Sequence, residues 1–149
     1  MRMRQSYEHV SVGPMSDWKR FRFQLRDLPP APKRFLKSEL SLSSMELSVN
    51  CMPAGATMPF LHKHRRNEEV YLFLTGEGEF QAGDEILAIT PGFCIRCSPE
   101  TPRSFRNTGS VPMEFVVIQA EADSYSGAGL TTDGELVPVS PVWLLDFSL

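Results

Sequence analysis

The stretch PFLHKHRRNEEVYLFLTGEGEF, residues 59–80, carries two histidines one residue apart, then a carboxylate pair and an apolar run. If residues 60–64 are extended, the side chains of His62 and His64 point to the same side. After a short polar connection, Glu69, Tyr71 and Phe73 alternate along one face of the next strand, so Glu69 can enter the same pocket as the histidines. Two histidines and one carboxylate on neighbouring strands form a ligand set for divalent iron, zinc, manganese or nickel. The same residues can also be a polar strand end and a solvated turn, so the short motif alone leaves both interpretations open.

The chain has 149 residues, which predicts one domain that can bury a core without disulfides or a structural metal. Its formal charge is −3 and its basic residues are scattered, so we expect a small molecule and not a nucleic acid as its partner. No apolar run approaches the roughly 18 residues of a membrane span, and the first ten residues lack the apolar stretch of a signal peptide. Three cysteines, an odd number, are typical of a reducing compartment, and we expect a cytoplasmic protein with no membrane partner.

Short runs rich in Val, Ile, Leu and Phe are separated by glycines and prolines along most of the chain. This pattern predicts many short strands joined by turns, and no segment favours a helix of three or more turns. We therefore predict an all-β sandwich or barrel. The candidate strands are 45–52, 69–76, 78–83, 85–90, 93–98, 103–108 and 113–121.

Both ends of the chain differ in composition from the strand-rich middle. We predict an N-terminal extension over residues 1–40 that packs on the barrel, the barrel itself over 41–121, and a C-terminal extension over 122–149. Within the first extension, LPPAPKRF is rich in proline and is expected to cross the surface. The preceding DWKRFRF fits either an added strand or a short helical turn, and the sequence leaves that choice open.

The spacing around the two histidines resembles the first motif of the cupin superfamily. In that motif a glycine precedes an H-x-H pair, a glutamate follows, and a second glycine stands seven residues beyond the glutamate. The matching residues here are Gly55, His62, His64, Glu69 and Gly76, with one extra residue between Gly55 and His62. The resemblance implies that His62, His64 and Glu69 are metal ligands.

A second stretch is similar to the second cupin motif, with Gly83, the Pro-Gly pair at 91–92 and Asn107 in the matching positions. The motif's histidine is replaced by Arg103. The resemblance covers about residues 45–120 and implies a six-stranded, double-sheet β-barrel, the jelly-roll-like double-stranded β-helix of cupins.

Arg103 leaves open whether the site binds a metal, because a guanidinium has no lone pair to offer a cation. In one alternative, the other three ligands still hold a metal and Arg103 receives an anionic group of the substrate. In another, Arg103 pairs with Glu69 and takes the place of the metal, and in a third it points into solvent. A cation near a divalent metal costs on the order of several kcal/mol, which favours the second alternative unless an anion lies between them.

These alternatives give two functional hypotheses. The first is a metal-dependent enzyme, an isomerase or an oxygen-dependent oxygenase, that acts on a small polar or anionic substrate such as a sugar derivative, with Glu69 and Arg103 as catalytic residues. The second is a metal-free cupin that binds or senses a small ligand. Residues expected on the inner faces, and hence as substrate contacts, are Arg103, Tyr71, Phe73, Arg96 and Gln119. The two aromatic residues are also typical of an ordinary core.

The segment PVWLLDFSL, residues 141–149, carries too many apolar groups for a free tail. Trp143, Leu144, Leu145, Phe147 and Leu149 can be buried against the same barrel or against a second subunit. Because pairing also covers an exposed sheet edge, we expect a homodimer with Trp143 at or near the interface.

Overall fold

The computed structural model of the protein describes residues 6–127 and 133–147. Two short 3₁₀ helices, Met15–Arg20 and Val142–Phe147, flank the strands. None of the described residues forms a helix long and apolar enough to cross a membrane. The strands are β1 Lys33–Phe35, β2 Glu46–Met52, β3 Asn67–Phe73, β4 Gly78–Ala82, β5 Glu85–Ile89, β6 Cys94–Cys97, β7 Arg103–Asn107 and β8 Met113–Glu121.

The strands form two antiparallel sheets that face each other across one core. The larger sheet has the order β1-β2-β8-β3-β6, and the smaller has the order β5-β4-β7. This arrangement confirms the predicted all-β, cupin-like fold. The barrel implied by the resemblance is corrected, because the described strands pair within two separate sheets and do not close. Strand β1 was also not among the strands that the sequence predicted.

Aromatic side chains fill the space between the two sheets. Phe73 and Phe80 are fully buried, and Phe105 and Phe115 are nearly so. The rings of Phe80 and Phe105 lie parallel with centroids 5.9 Å apart, and those of Phe73 and Phe115 are 5.0 Å apart. Since successive strand residues face opposite sides, this packing fixes which side chains of β3 and β7 point inward.

The turn after β3 depends on Gly76. Its φ of +79° lies in the left-handed region, and a Cβ at this position would lie 2.6 Å from Cγ of Met113. Glycine is therefore required both for the backbone conformation and for the close approach of β8. The motif glycine that stands seven residues after Glu69 thus fixes where β3 ends.

The N-terminal segment packs on the larger sheet. The residues around Trp18 form a 3₁₀ helix and not a strand, and Trp18 is 5% exposed and packs against Val49 and Cys51 of β2. The proline-rich stretch 28–35 ends in β1, which pairs in register with β2 at the edge of the larger sheet.

The described part of the C-terminal extension leaves apolar side chains in solvent. Leu136 is 96% exposed and Trp143 is 71% exposed, and Val137, Val139 and Val142 are similarly open. The side chains of Leu145, Phe147 and Leu149, which were also expected to be buried, lie outside the described residues. Between residues 136 and 144, these apolar side chains are therefore not buried against their own sheets.

Candidate metal centre

The two histidines lie in an extended segment held against β7. The amide of His62 donates to the carbonyl of Arg103 at 3.1 Å, and the amide of Arg103 donates back at 2.9 Å. The amide of His64 donates to the carbonyl of Pro99 at 3.0 Å. These backbone bonds bring both imidazoles to the inner face of β3, where Glu69 points inward while Glu68 points outward.

Both imidazoles converge on one carboxylate oxygen. Nε2 of His62 lies 3.4 Å from Oε1 of Glu69, and Nε2 of His64 lies 3.0 Å from the same oxygen. One potential ligand atom from each of the three side chains lies within 4.8 Å of the others. Nε2 of His64 is buried and makes no hydrogen bond of regular geometry. Two imidazole nitrogens and a carboxylate at these distances fit a divalent metal with open positions.

Glu69 is held as a carboxylate by its neighbours. Burial alone would raise its pKa, but hydrogen bonds from His62 and Tyr71, together with the charges of the two histidines, lower its pKa to about 2. The hydroxyl of Tyr71 donates to Oε1 at 2.7 Å. The carboxylate is therefore charged near neutral pH and suited to bind a cation.

The surroundings of His64 lower its pKa and so favour its neutral form. Its burial lowers its pKa, and the positive charges of Arg103 and His62 lower it further, while Glu69 has the opposite effect. A histidine with a lowered pKa keeps a free lone pair at neutral pH, which is the form that binds metals.

Arg103 lies behind Glu69 and is completely buried. Its Nη1 donates to the carbonyl of Thr101 at 2.8 Å and its Nη2 to that of Ser98 at 3.5 Å, while Nε lies 3.4 Å from Oε1 of Glu69. Of the three alternatives for Arg103, the one in which it points into solvent is excluded. Its expected role as a substrate contact is corrected, because its terminal nitrogens bond to backbone carbonyls and the residue does not line the cavity next to this centre. The expected ion pair with Glu69 is present.

A cavity of about 450 Å³ adjoins this centre. Its walls come from β2, β3, β7 and β8, from the segment between β2 and β3, and from the N-terminal segment. The lining is mostly apolar, with Phe23, Leu25, Leu28, Met52, Phe105 and Phe115 among the contributors. The polar or charged side chains in the lining include Lys33, Asn50, His62, Glu69 and Tyr71.

The other residues expected to contact substrate lie in different places. Tyr71 lines the cavity, whereas Phe73 is fully buried in the aromatic core. Arg96 lies on the outer face of β6 and donates to Glu68 at 3.2 Å, so its assignment to the inner face is wrong. Gln119 shares the face of Glu69, but its amide oxygen accepts from Asn67 at 3.0 Å and the residue does not line the cavity.

Two polar residues of the cavity were missed from the sequence. Asn50 is 3% exposed and donates to Oγ of Ser48 at 3.0 Å and to the carbonyl of Phe115 at 3.3 Å. Lys33 is half-buried, and this burial lowers the pKa of its ammonium, although the charges of Glu69 and Glu46 oppose the shift. In the sequence, Lys33 is only a lysine at the end of a proline-rich stretch. Its position in the cavity follows from the pairing of β1 with β2.

Comparisons with known proteins agree with this architecture. The family model for the cupin domain matches residues 48–119. A cupin protein of known structure from Bacteroides fragilis is 30% identical, with a TM-score of 0.72, and the match covers 90% of this chain and 99% of that one. A sugar phosphate isomerase of the cupin superfamily from Silicibacter pomeroyi shares the fold at 18% identity and a TM-score of 0.55, over 77% of this chain and 70% of that one.

A curated relative, the oxalate-binding protein of Thermotoga maritima, is 35% identical over 68 residues, which are 45% of this chain and 54% of the relative. The chain spans about half the length of the curated relatives that it matches. The match to the Bacteroides protein extends over nearly the whole of that protein and includes the two-sheet fold. On this evidence the chain belongs to the cupin superfamily.

Proposed function

We propose that this cupin binds a divalent metal ion through His62, His64 and Glu69 and acts on a small anionic molecule in the adjoining cavity, as a metal-dependent enzyme of the isomerase or oxygenase type. The observation that carries the proposal is the convergence of both Nε2 atoms on Oε1 of Glu69, at 3.4 and 3.0 Å, where the cavity is polar. Iron, zinc, manganese and nickel all suit such a ligand set.

A metal bound there would supply Lewis acidity toward an oxygen of the bound molecule. The surrounding side chains would have different roles, some as metal ligands and others as positioning residues. His62 and His64 each offer one imidazole nitrogen and Glu69 offers one negative charge. Tyr71 and Arg103 hold the carboxylate in place, which makes Arg103 a positioning residue and not a substrate contact. The apolar walls exclude water and strengthen the electrostatic interactions inside the cavity.

The relatives support an anionic ligand more than a sugar. The Thermotoga relative is by name an oxalate-binding protein, and oxalate is a small carboxylate. The lining here is mainly apolar, which suits a ligand with a hydrocarbon body better than a sugar with its many hydroxyls. We therefore propose a small organic anion as the ligand class.

Metal analysis of untagged protein tests the proposal. We expect about one metal ion per chain in the wild type and less than about a tenth of that in His62→Ala, because one of three ligands is lost. His9→Ala is the matched control, since the chain has only three histidines and His9 is exposed and lies outside the site. Equal metal content in the His62 variant and the wild type would refute the assignment.

A second function is favoured by one specific observation: Nε of Arg103 lies 3.4 Å from Oε1 of Glu69, so a cation already neutralises the carboxylate. In this alternative the protein is a metal-free module that binds or senses a small ligand. It predicts less than about a tenth of a metal ion per chain in the wild type and in the His62 variant alike.

We also propose that the protein is a homodimer in which a second copy covers the exposed apolar residues of the C-terminal extension. Leu136 and Trp143 are 96% and 71% exposed, and a run of exposed apolar side chains of this kind is typical of an interface. The three cysteines are free, which favours a reducing compartment, and we propose a cytoplasmic location.

A further inference from the structure

Lys33 faces the cavity from a part of the chain that carries none of the metal ligands. On β1 it lies directly opposite Asn50 of β2, and residues opposite each other on antiparallel strands share a face. Asn50 is buried and lines the cavity, and Lys33 lines it as well. The side chain of Lys33 therefore belongs to the inner face of the larger sheet.

The ammonium of Lys33 forms no ion pair within 4 Å among residues 6–127 and 133–147, although the charges of Glu69 and Glu46 act on it from farther away. None of the ion pairs formed by those residues includes it. Its Nζ lies 4.8 Å from the centroid of the Phe35 ring, a cation–π contact that compensates only part of the lost hydration. A cation in a mainly apolar wall is costly unless an anion joins it. The cavity therefore favours a ligand that brings an anionic group to Lys33.

We infer that Lys33 binds the carboxylate of a ligand whose apolar body fills the cavity, so that the preferred ligands are monocarboxylates with an aliphatic or aromatic body. One unpaired ammonium balances one negative charge, and the walls around it, including Phe23, Leu25 and Leu28, offer apolar surface to the rest of the molecule. The inference deepens the proposed function, because the other end of the ligand then lies toward His62 and Glu69 in the same cavity.

Lys33 lies before residues 48–119, the part of the chain that matches the cupin family model. The metal ligands all lie within the matched part. Selection of the ligand by Lys33 is therefore a property of the N-terminal segment of this chain, and it can be tested separately from metal binding.

Calorimetric titration with 3-phenylpropanoate and 3-phenylpropan-1-ol tests the inference, since the two probes differ in the charged group. We expect the wild type to bind the acid at least about tenfold more tightly than the alcohol, the size of a hydrogen bond to a charged group. Lys33→Met is expected to bind both probes equally. Lys37→Met, which removes an exposed lysine just after β1, is expected to keep the wild-type preference.

Repeating the titrations in His62→Ala separates the inference from the metal. A preference for the acid that survives in His62→Ala and disappears in Lys33→Met supports the inference, whatever the metal content. A preference that survives in Lys33→Met and disappears in His62→Ala places the carboxylate on the metal and overturns the role of Lys33. Absence of any preference in the wild type also overturns it. Unchanged affinity of Lys33→Met for the alcohol verifies an intact cavity, and Lys33→Gln replaces that variant if it fails to fold.

Discussion

Asn107 ties three parts of the fold together through one buried amide, and its replacement by alanine is expected to destabilise the protein. The side chain lies at the end of β7 and is 2% exposed. Its Nδ2 donates to the carbonyls of Met52 at 3.0 Å and Val111 at 2.8 Å, and its Oδ1 accepts from the amide of Gly109 at 2.9 Å. These bonds join the end of β2 to the loop that leads into β8.

The size of the effect follows from these three bonds. Each intramolecular hydrogen bond contributes about 1 kcal/mol net, so Asn107→Ala is expected to lower the free energy of unfolding by about 3 kcal/mol. The carbonyl of buried Met52 would lose a partner without gaining water, whereas that of exposed Val111 could be hydrated. For a chain of this length, the loss corresponds to a decrease in Tm of about 6–12 °C. Asn107→Asp is expected to cost at least as much, because its carboxylate would face the same two carbonyl oxygens.

Urea unfolding followed by tryptophan fluorescence, together with calorimetry, measures the change. Asn67→Ala is a matched control, since that half-buried amide makes a single side-chain bond to Gln119 and its loss is expected to cost about 1 kcal/mol or less. If Asn107→Ala lost no more stability than Asn67→Ala, the three bonds would not hold the sheets together and the explanation would fail.

Three further predictions concern the site, the core and the assembly. Arg103→His is expected to raise zinc affinity, measured against a competing chelator, because it adds a ligand and removes a cation; equal or weaker binding would show that this position does not face the metal. Gly78→Ala is expected to lower the free energy of unfolding by about 3 kcal/mol in urea, because its Cβ would lie 2.1 Å from the carbonyl oxygen of Arg106, whereas Gln81→Ala on the same strand should cost little. Light scattering is expected to give a dimer for the wild type and a monomer after truncation at Glu135; a monomeric wild type would refute the homodimer, and a truncated protein that stays dimeric would place the interface elsewhere.

The sequence predicted the three candidate ligands because they are close together along the chain. His62 and His64 share a face by strand parity alone, and the distance from Glu69 to Gly76 identifies which of two glutamates points inward. Glu69 is buried and Glu68 is only partly buried, in line with the alternation of burial along β3. Both faces of β3 carry apolar residues, so the motif spacing to Gly76, and not a polar–apolar contrast, identified the inward glutamate.

Arg96 and Lys33 show where local periodicity fails. The strand of Arg96 reads Cys-Ile-Arg-Cys, which has no clear polar face, and its orientation is set by the pairing of Cys97 with Glu69. Lys33 lies in a three-residue strand whose inward face is set by pairing with Asn50, 17 positions along the chain in the register of β1 and β2. Both positions depend on strand pairing, which a single sequence does not specify.

The wall contributed by residues 23–33 is attached to the rest of the protein at a sheet edge, through one short strand. An element in that position can be exchanged or lengthened without changing the registers that bring His62, His64 and Glu69 together. On the inference that Lys33 selects the ligand, a chimera that carries another cupin's wall segment on this chain's sheets is expected to take that donor's choice of ligand.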